Sequence, residues 1–331
     1  MTVQRAKILK VWCVDLNEEV TINQARREYT NQEPTPLPYT FYCNDPACLS
    51  LPEKVMVTGV NYKVVAEERP KYRSAHFRLQ DTHHEHCGWL ENEATTAPND
   101  HPATSQRTAK RKLTDLVTVF DPRSGFQKKA HDHRASGSSG QDCSDLKHGG
   151  NGAHRPRNDE KRDAVGETIT SDLDRLVDSY LEAKHKLTGD EFQALKLKIV
   201  GDGEYRLEDY FQWVGKTDCS GVIYGGGRVK PQGYGFKIFF FDKRAKKPIT
   251  LYISSEKLRE YKFKKSIRAA VEAVDRSDRK KYLKIYCLGK IEYSQEFDCW
   301  NVIIDDMNHL VLRVISKEPL DEILSGSAPS M

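Results

Sequence analysis

The chain has 331 residues, 38% of them hydrophobic and 30% charged, with a mean hydropathy of −0.68 and a formal net charge of +4. That length holds two domains of ordinary size, and its polarity implies that part of it is solvated rather than packed. No apolar run approaches the roughly 20 residues of a membrane helix, and Lys10 and Asp15 interrupt the only N-terminal apolar stretch, which argues against a signal peptide. Eight cysteines are too dilute for a disulfide scaffold, so a cytoplasmic protein with buried or metal-bound thiols is expected.

In chain order, residues 6–15 read as a strand and 21–29 as a short helix, which "NQEPTPLP" ends with three prolines. "CNDPAC" (43–48) follows. Residues 54–68 have two β-rich halves around Gly59 and Asn61, a predicted hairpin. Residues 69–90 are rich in histidine. From 92 to 165 large apolar residues nearly vanish, which predicts a flexible, largely disordered linker; "KLTDLVTVFDP" (112–122) is an exception that could dock on a neighbour.

Order returns at 170–187, where Leu173, Leu176, Val177, Tyr180, Leu181 and Leu187 form a helical apolar stripe. A second short helix is predicted over 205–214. Strands are predicted at 221–231, 234–242, 248–254, 281–293 and 299–315, with a helix at 255–276 between the third and the fourth. That order fits an OB-like barrel, and small mixed α+β sheets share it. The expected fold class is α+β: a zinc ribbon of the β-hairpin type over 1–91, the linker over 92–165, a helical lead-in with a basic β-rich, OB-like domain over 166–322, and a disordered tail over 323–331.

Zinc favours four soft or borderline ligands in a tetrahedron, and a short Cys-x₂₋₄-Cys loop delivers two from one turn. Cys43 and Cys48 have that spacing, with Pro46 bending the loop. "HFRLQDTHHEHCGW" (76–89) would close the site. The predicted ligands are Cys43, Cys48, His76 and Cys87, with His83, His84 and His86 in reserve. A module this small has little core of its own, and a structural zinc ion would supply folding energy. Nothing in the pattern asks for the open coordination position of a catalytic metal.

These residues resemble the zinc-binding segment that opens the competence protein CoiA family and related bacterial and mobile-element proteins. The likeness covers about residues 5–90 and rests on "INQA" (22–25), the cysteine pair, "AHFR" (75–78) and Cys87. The cysteine spacing is longer than the family's, and Leu79 stands where its second motif histidine would be. The resemblance implies a structural zinc ribbon in DNA-related or mobile-element biology. The family's nuclease domain, with a strand-borne Asp and a Glu-x-Lys, has no counterpart here.

Charge is uneven. The 75 residues from Lys216 to Lys290 hold 20 Lys and Arg against 7 Asp and Glu, as expected of a module that meets polyanions. Strand alternation puts Phe236, Ile238 and Phe240 on one face and Lys237, Phe239 and Phe241 on the other. Tyr252, Lys284 and Tyr286 fall on similarly mixed faces. Rings beside cations are what single-stranded nucleic acid binding uses, since bases stack on rings and phosphates meet cations. Lys237, Phe239, Phe241, Tyr252, Lys284 and Tyr286, with Arg244, Lys246 and Lys247 of the intervening loop, form the predicted nucleic-acid face.

The competing view is that helices cover those rings and the lysines are merely solvated. "YGGGRVKPQGYG" (224–235) lacks the Gly-Lys-Ser/Thr of a phosphate loop and reads as a glycine-rich strand and turn. Cys219, Cys287 and Cys299 read as core thiols. The sequence therefore predicts a non-catalytic, zinc-containing nucleic-acid-binding protein, with single strands favoured. The alternatives are an adaptor that holds a protein partner on its zinc ribbon, and a diverged metal-dependent nuclease using carboxylates such as Asp202, Asp305 and Asp306. No membrane partner is expected.

Overall fold

The structure, a computed structural model, describes residues 8–64, 75–90, 112–113, 116–123, 169–216, 219–277 and 280–316. Residues 65–68 of the predicted 54–68 hairpin, most of the predicted linker and the predicted C-terminal tail lie outside them.

The N-terminal module is a five-stranded antiparallel sheet in the order β2-β1-β3-β4-β5. Its strands are β1 (Lys10–Cys13), β2 (Glu18–Thr21), β3 (Phe41–Cys43), β4 (Met56–Val60) and β5 (His76–Leu79). It is thus a wider sheet than a single zinc-bearing hairpin. Helix α1 (Ile22–Asn31) starts at a capping box, in which Thr21 and Gln24 satisfy each other's backbone N–H groups. One turn of helix, α2 (Pro46–Leu49), carries Cys48 and is capped by Asp45. Val11, Cys13, Phe41 and Val57 pack with Ala25 and Tyr29 of α1 and with Tyr39 and Tyr62.

The predicted linker exception is an integral strand. Leu113, Leu116, Val117 and Phe120 are buried, and β6 (Val119–Phe120) pairs in parallel with β7 (Ile169–Thr170) and β8 (Lys196–Ile199). Strand β9 (Gly203–Arg206) completes this small sheet. Helix α3 (Leu173–Lys186) is the predicted amphipathic helix, and α4 (Gly189–Gln193) follows on its own capping box. The helix predicted over 205–214 is only one turn, α5 (Leu207–Tyr210); the chain then extends as β10 (Phe211–Trp213).

The C-terminal sheet has eight strands: β10 through β17, in the order β15-β16-β13-β12-β11-β14-β17 with β10 beside β11. They are β11 (Val222–Gln232), β12 (Gly235–Arg244), β13 (Lys247–Ile253), β14 (Lys281–Leu288), β15 (Lys290–Ser294), β16 (Cys299–Ile303) and β17 (Leu310–Ser316). The sheet is open, not a closed barrel. Its inner face buries Ile238, Leu251, Ile285 and Val302 under α6 (Ser255–Glu260) and α7 (Lys264–Asp275). The predicted 255–276 helix thus breaks in two at Tyr261–Phe263. No described helix is long and apolar enough to cross a membrane.

The outer face is divided. On one half, Phe211, Val222, Tyr286 and Val311 join Leu176, Val177 and Tyr180 of α3 in a second core. Among the described residues, no helix covers the other half.

Helix α1 ties the two sheets together. Arg27 donates to Asp172 at 2.6 Å with both side chains buried, and its guanidinium lies 5.0 Å from the Phe263 ring centre. Glu28 pairs with Lys262, and Asn31 Oδ1 accepts from the Lys265 backbone N–H at 3.2 Å. Beside this contact, Arg313 of β17 pairs with Asp174 and, at 2.8 Å, with Asp178 of α3.

Candidate metal centre and nucleic-acid face

Cys43, Cys48, His83 and Cys87 converge, their ligand atoms all within 4.8 Å of one another and all four residues buried. Three local devices build the cluster. Cys43 ends β3, where its N–H bonds the Val55 carbonyl at 2.9 Å. Pro46 starts α2 at the position where its missing N–H costs nothing, and the turn carries Cys48 back toward Cys43. Asp45 then clasps the two loops: Oδ1 caps α2, and Oδ2 accepts from the Gly88 N–H at 2.9 Å. Asn44 adds a second tie, accepting from Trp89 Nε1 at 2.9 Å.

The spacings suit a tetrahedral ion. Metal–sulfur bonds of about 2.3 Å put two sulfurs about 3.8 Å apart, and Cys43 Sγ and Cys87 Sγ are 3.8 Å apart. His83 Nδ1 lies 3.5 Å from Cys48 Sγ and 3.3 Å from Cys87 Sγ, so Nδ1 is the nitrogen turned to the centre. Burial pushes the Cys43 thiol up, the Cys87 thiol up to about 11, and the His83 imidazole down. Burial alone therefore favours neutral ligands; a bound cation would draw the thiol protons off.

Three of the four predicted ligands are brought together and one is replaced. His76 opens β5, opposite Val60, outside the cluster. The chain must leave that strand and fold over α2 before a histidine can reach the thiols, and His83 is the residue that does. His84 is part-buried and His86 exposed, their rings 5.4 Å apart. Among the described residues no other group of three or more His, Cys, Asp or Glu is placed to hold an ion. Asp202 accepts from the Tyr205 hydroxyl and Asp306 caps a 3-10 turn, so two of the carboxylates considered for a nuclease have local structural work.

The predicted nucleic-acid residues divide into four groups. Lys237, Phe239, Phe241, Tyr252 and Lys284 share the bare half of the outer face. Phe239, Phe241 and Tyr252 are 36%, 48% and 50% exposed. Lys237 Nζ lies 5.4 Å from the Phe239 ring, and Lys284 Nζ 5.5 Å from that of Tyr224. Tyr286 is on the same face but buried, because α3 covers that half. Arg244 and Lys247 pair with each other in register with Ile249, which places them on the opposite face. There Arg244 lies 4.4 Å from the Trp300 ring and Lys247 pairs with Asp298. Lys246 is exposed at the hairpin turn, with a φ of 64°.

The structure adds residues that the strand pattern did not single out. Arg228 opposes Phe239 and lies 5.9 Å from the Phe241 ring; Lys230 opposes Lys237 and lies 5.5 Å from the Phe239 ring. Tyr282 meets Phe241 edge-on at 5.4 Å. The tri-glycine run explains how these rings fit. A Cβ on Gly226 would stand 3.1 Å from Phe241 and 3.3 Å from Tyr282, so glycine lets both rings lie down against the sheet.

Comparison of the chain with protein-family models, curated proteins and solved structures yields no match.

Proposed function

We propose that the protein is a non-catalytic, zinc-containing nucleic-acid-binding protein. The observation that carries this reading is the bare half-face of the C-terminal sheet, where Phe239, Phe241 and Tyr252 lie among Arg228, Lys230, Lys237 and Lys284. Exposed rings in an otherwise well-packed sheet forgo burial energy, and cations ringing them would hold a phosphate backbone while bases stack. A single strand is the favoured ligand, because only unpaired bases offer their flat faces to the rings. The metal of the Cys43–Cys48–His83–Cys87 cluster is zinc in a structural role: three thiolates and one imidazole fill a closed tetrahedron and leave no position for substrate. The resemblance to the CoiA-type zinc segment supports a DNA-related, mobile-element or defence setting in the bacterial cytoplasm.

The test is binding of the full chain to single-stranded oligonucleotides across a salt series. Log affinity should fall linearly with log salt concentration as counterions are released, and Phe239→Ala with Phe241→Ala should abolish binding while the fold persists. Affinity indifferent to both salt and the two rings would overturn the proposal.

A second reading, an adaptor for a protein partner, draws on a different surface. Trp12, Tyr42 and Met56 lie in register across β1, β3 and β4 on the face away from α1, with Trp12 and Met56 exposed. Binding of a protein partner that is lost on Trp12→Ala yet indifferent to the Phe239 and Phe241 changes would favour it.

A further inference from the structure

One end of the bare half-face is finished differently from the rest. Trp213 of β10 opposes Tyr224 of β11, and alternation from Phe211, which enters the second core of the outer face, puts Trp213 on that same face. It is 45% exposed. Its ring folds over Gly215, where an added Cβ would stand 2.5 Å from the indole. Its Nε1 donates to Asp242 Oδ2 at 2.9 Å. An exposed tryptophan is thereby held in one orientation.

Asp242 follows Phe241 directly, inside the stretch from Phe239 to Lys243 where the β12–β13 register shifts. Bulges of this kind re-aim side chains, often beside functional sites. Here the bulge sets a half-buried carboxylate at the rim of a cationic, aromatic surface. Only one carboxylate oxygen is engaged by the indole.

Beyond sequence-independent stacking, we infer that Trp213 and Asp242 form a base-reading subsite that selects a base carrying an exocyclic amino group, cytosine, adenine or guanine, over thymine or uracil. The inference rests on the nucleic-acid reading above and assigns that face a preference. Trp213 supplies a stacking ring beyond Phe241. The ionised carboxylate can only accept hydrogen bonds, so Asp242 Oδ1 meets the amino group of cytosine, adenine or guanine favourably and the O4 carbonyl of thymine or uracil unfavourably. Carboxylates read cytosine N4 in this way in duplex grooves. The negative charge also turns phosphates away from the rim, toward Arg228, Lys230 and Lys237, so that a base rather than the backbone faces Asp242.

The experiment compares affinities of the full chain for oligo-dC and oligo-dT of equal length, for wild type, Asp242→Asn and Trp213→Phe. Wild type should favour oligo-dC, by about tenfold for one discriminating contact. In Asp242→Asn the amide oxygen takes the indole N–H, which turns the NH₂ toward the base; the dC preference should vanish or reverse. Trp213→Phe keeps a stacking ring but frees Asp242, so oligo-dT affinity should hold while selectivity drops. Equal affinity of wild type for the two oligomers, or equal losses for both in Asp242→Asn, would overturn the subsite and leave the stacking face standing. Failure of wild type to bind either would overturn both readings.

Discussion

Arg27 of α1 reaches Asp172, the residue that caps α3, and the two meet at 2.6 Å with both side chains buried. Asp172 Oδ1 accepts from the Asp174 N–H at 3.0 Å while Oδ2 takes the guanidinium. One carboxylate therefore starts a helix of the C-terminal half and anchors a helix of the N-terminal half. Removing one partner of a buried pair strands the other charge, at a cost of about 3–5 kcal/mol. Arg27→Met should lower stability by that order in thermal unfolding, and the Arg27→Met, Asp172→Leu double variant should recover much of the loss. A single-variant effect under about 1 kcal/mol would show that the contact is incidental.

The neighbouring cluster predicts a pH dependence. Burial opposes ionisation of Asp174, but Arg313, Arg26 and Arg27 together outweigh it and hold the carboxyl below the usual range. A depressed carboxylate contributes stability that is full above its unfolded value and is lost as pH falls through the folded one. Unfolding free energy should therefore decline from about pH 4 downward. Asp178, which burial pushes up, acts in the opposite sense and above that window: it adds stability as pH falls toward the ordinary carboxylate value and no slope below it. Arg313→Leu should flatten the acid limb in urea titrations at successive pH values; an unchanged limb would remove this cluster from the account.

For the proposed zinc site, the candidate ligands give a sharp contrast. His83→Ala should lower bound zinc per chain in elemental analysis, whereas His76→Ala should leave it as in wild type. Cys43→Ser with Cys87→Ser should remove it altogether. Zinc retained in His83→Ala and lost in His76→Ala would reverse the assignment.

On the proposed nucleic-acid face, Phe239→Ala and Phe241→Ala should each weaken oligonucleotide binding by about 1–3 kcal/mol without lowering the melting temperature. Tyr286→Ala should do the opposite, destabilising the fold by about 3–5 kcal/mol through the second core. Lys247→Ala, on the far face against Asp298, should leave binding within twofold of wild type.

The glycine-rich strand supplies a stability test. A Cβ at Gly227 would lie 2.7 Å from Ile238 and 2.9 Å from the Phe239 carbonyl. Gly227→Ala should cost about 1–3 kcal/mol by overpacking, read as a lower denaturation midpoint; no change would mean that β11 and β12 can separate freely.

What the sequence disclosed follows from the range of the forces involved. Alternation is local, so the inward set Phe236, Ile238 and Phe240 and the outward set Lys237, Phe239 and Phe241 could be read from six consecutive residues. The amphipathic stripe of α3 and the cysteine loop were legible for the same reason. What covers a face is decided by distant segments. Tyr286 and Phe241 look alike in sequence, yet α3 buries one and leaves the other bare. The choice of His83 over His76 likewise depended on the path of the loop over α2, and the Asp45–Gly88 clasp joins residues 43 positions apart. Strand order was out of reach too, so an OB-like barrel and a small mixed α+β sheet fitted the sequence equally, and the sheet stays open. The buried segment around Val117 and Phe120 sits in polar surroundings that masked its role, although its own apolar spacing was visible.

Helix α1 has a consequence for thermodynamic linkage. One side of it packs beneath the sheet that carries Cys43, and the other meets Phe263, Lys262 and Asp172. Any equilibrium that moves α1 is shared between the two halves. Should an ion at the cysteine cluster and a bound strand both shift α1, the factor by which the ion changes strand affinity would equal the factor by which the strand changes ion affinity. The two ligands would titrate as one coupled system, although no atom of either would touch the other.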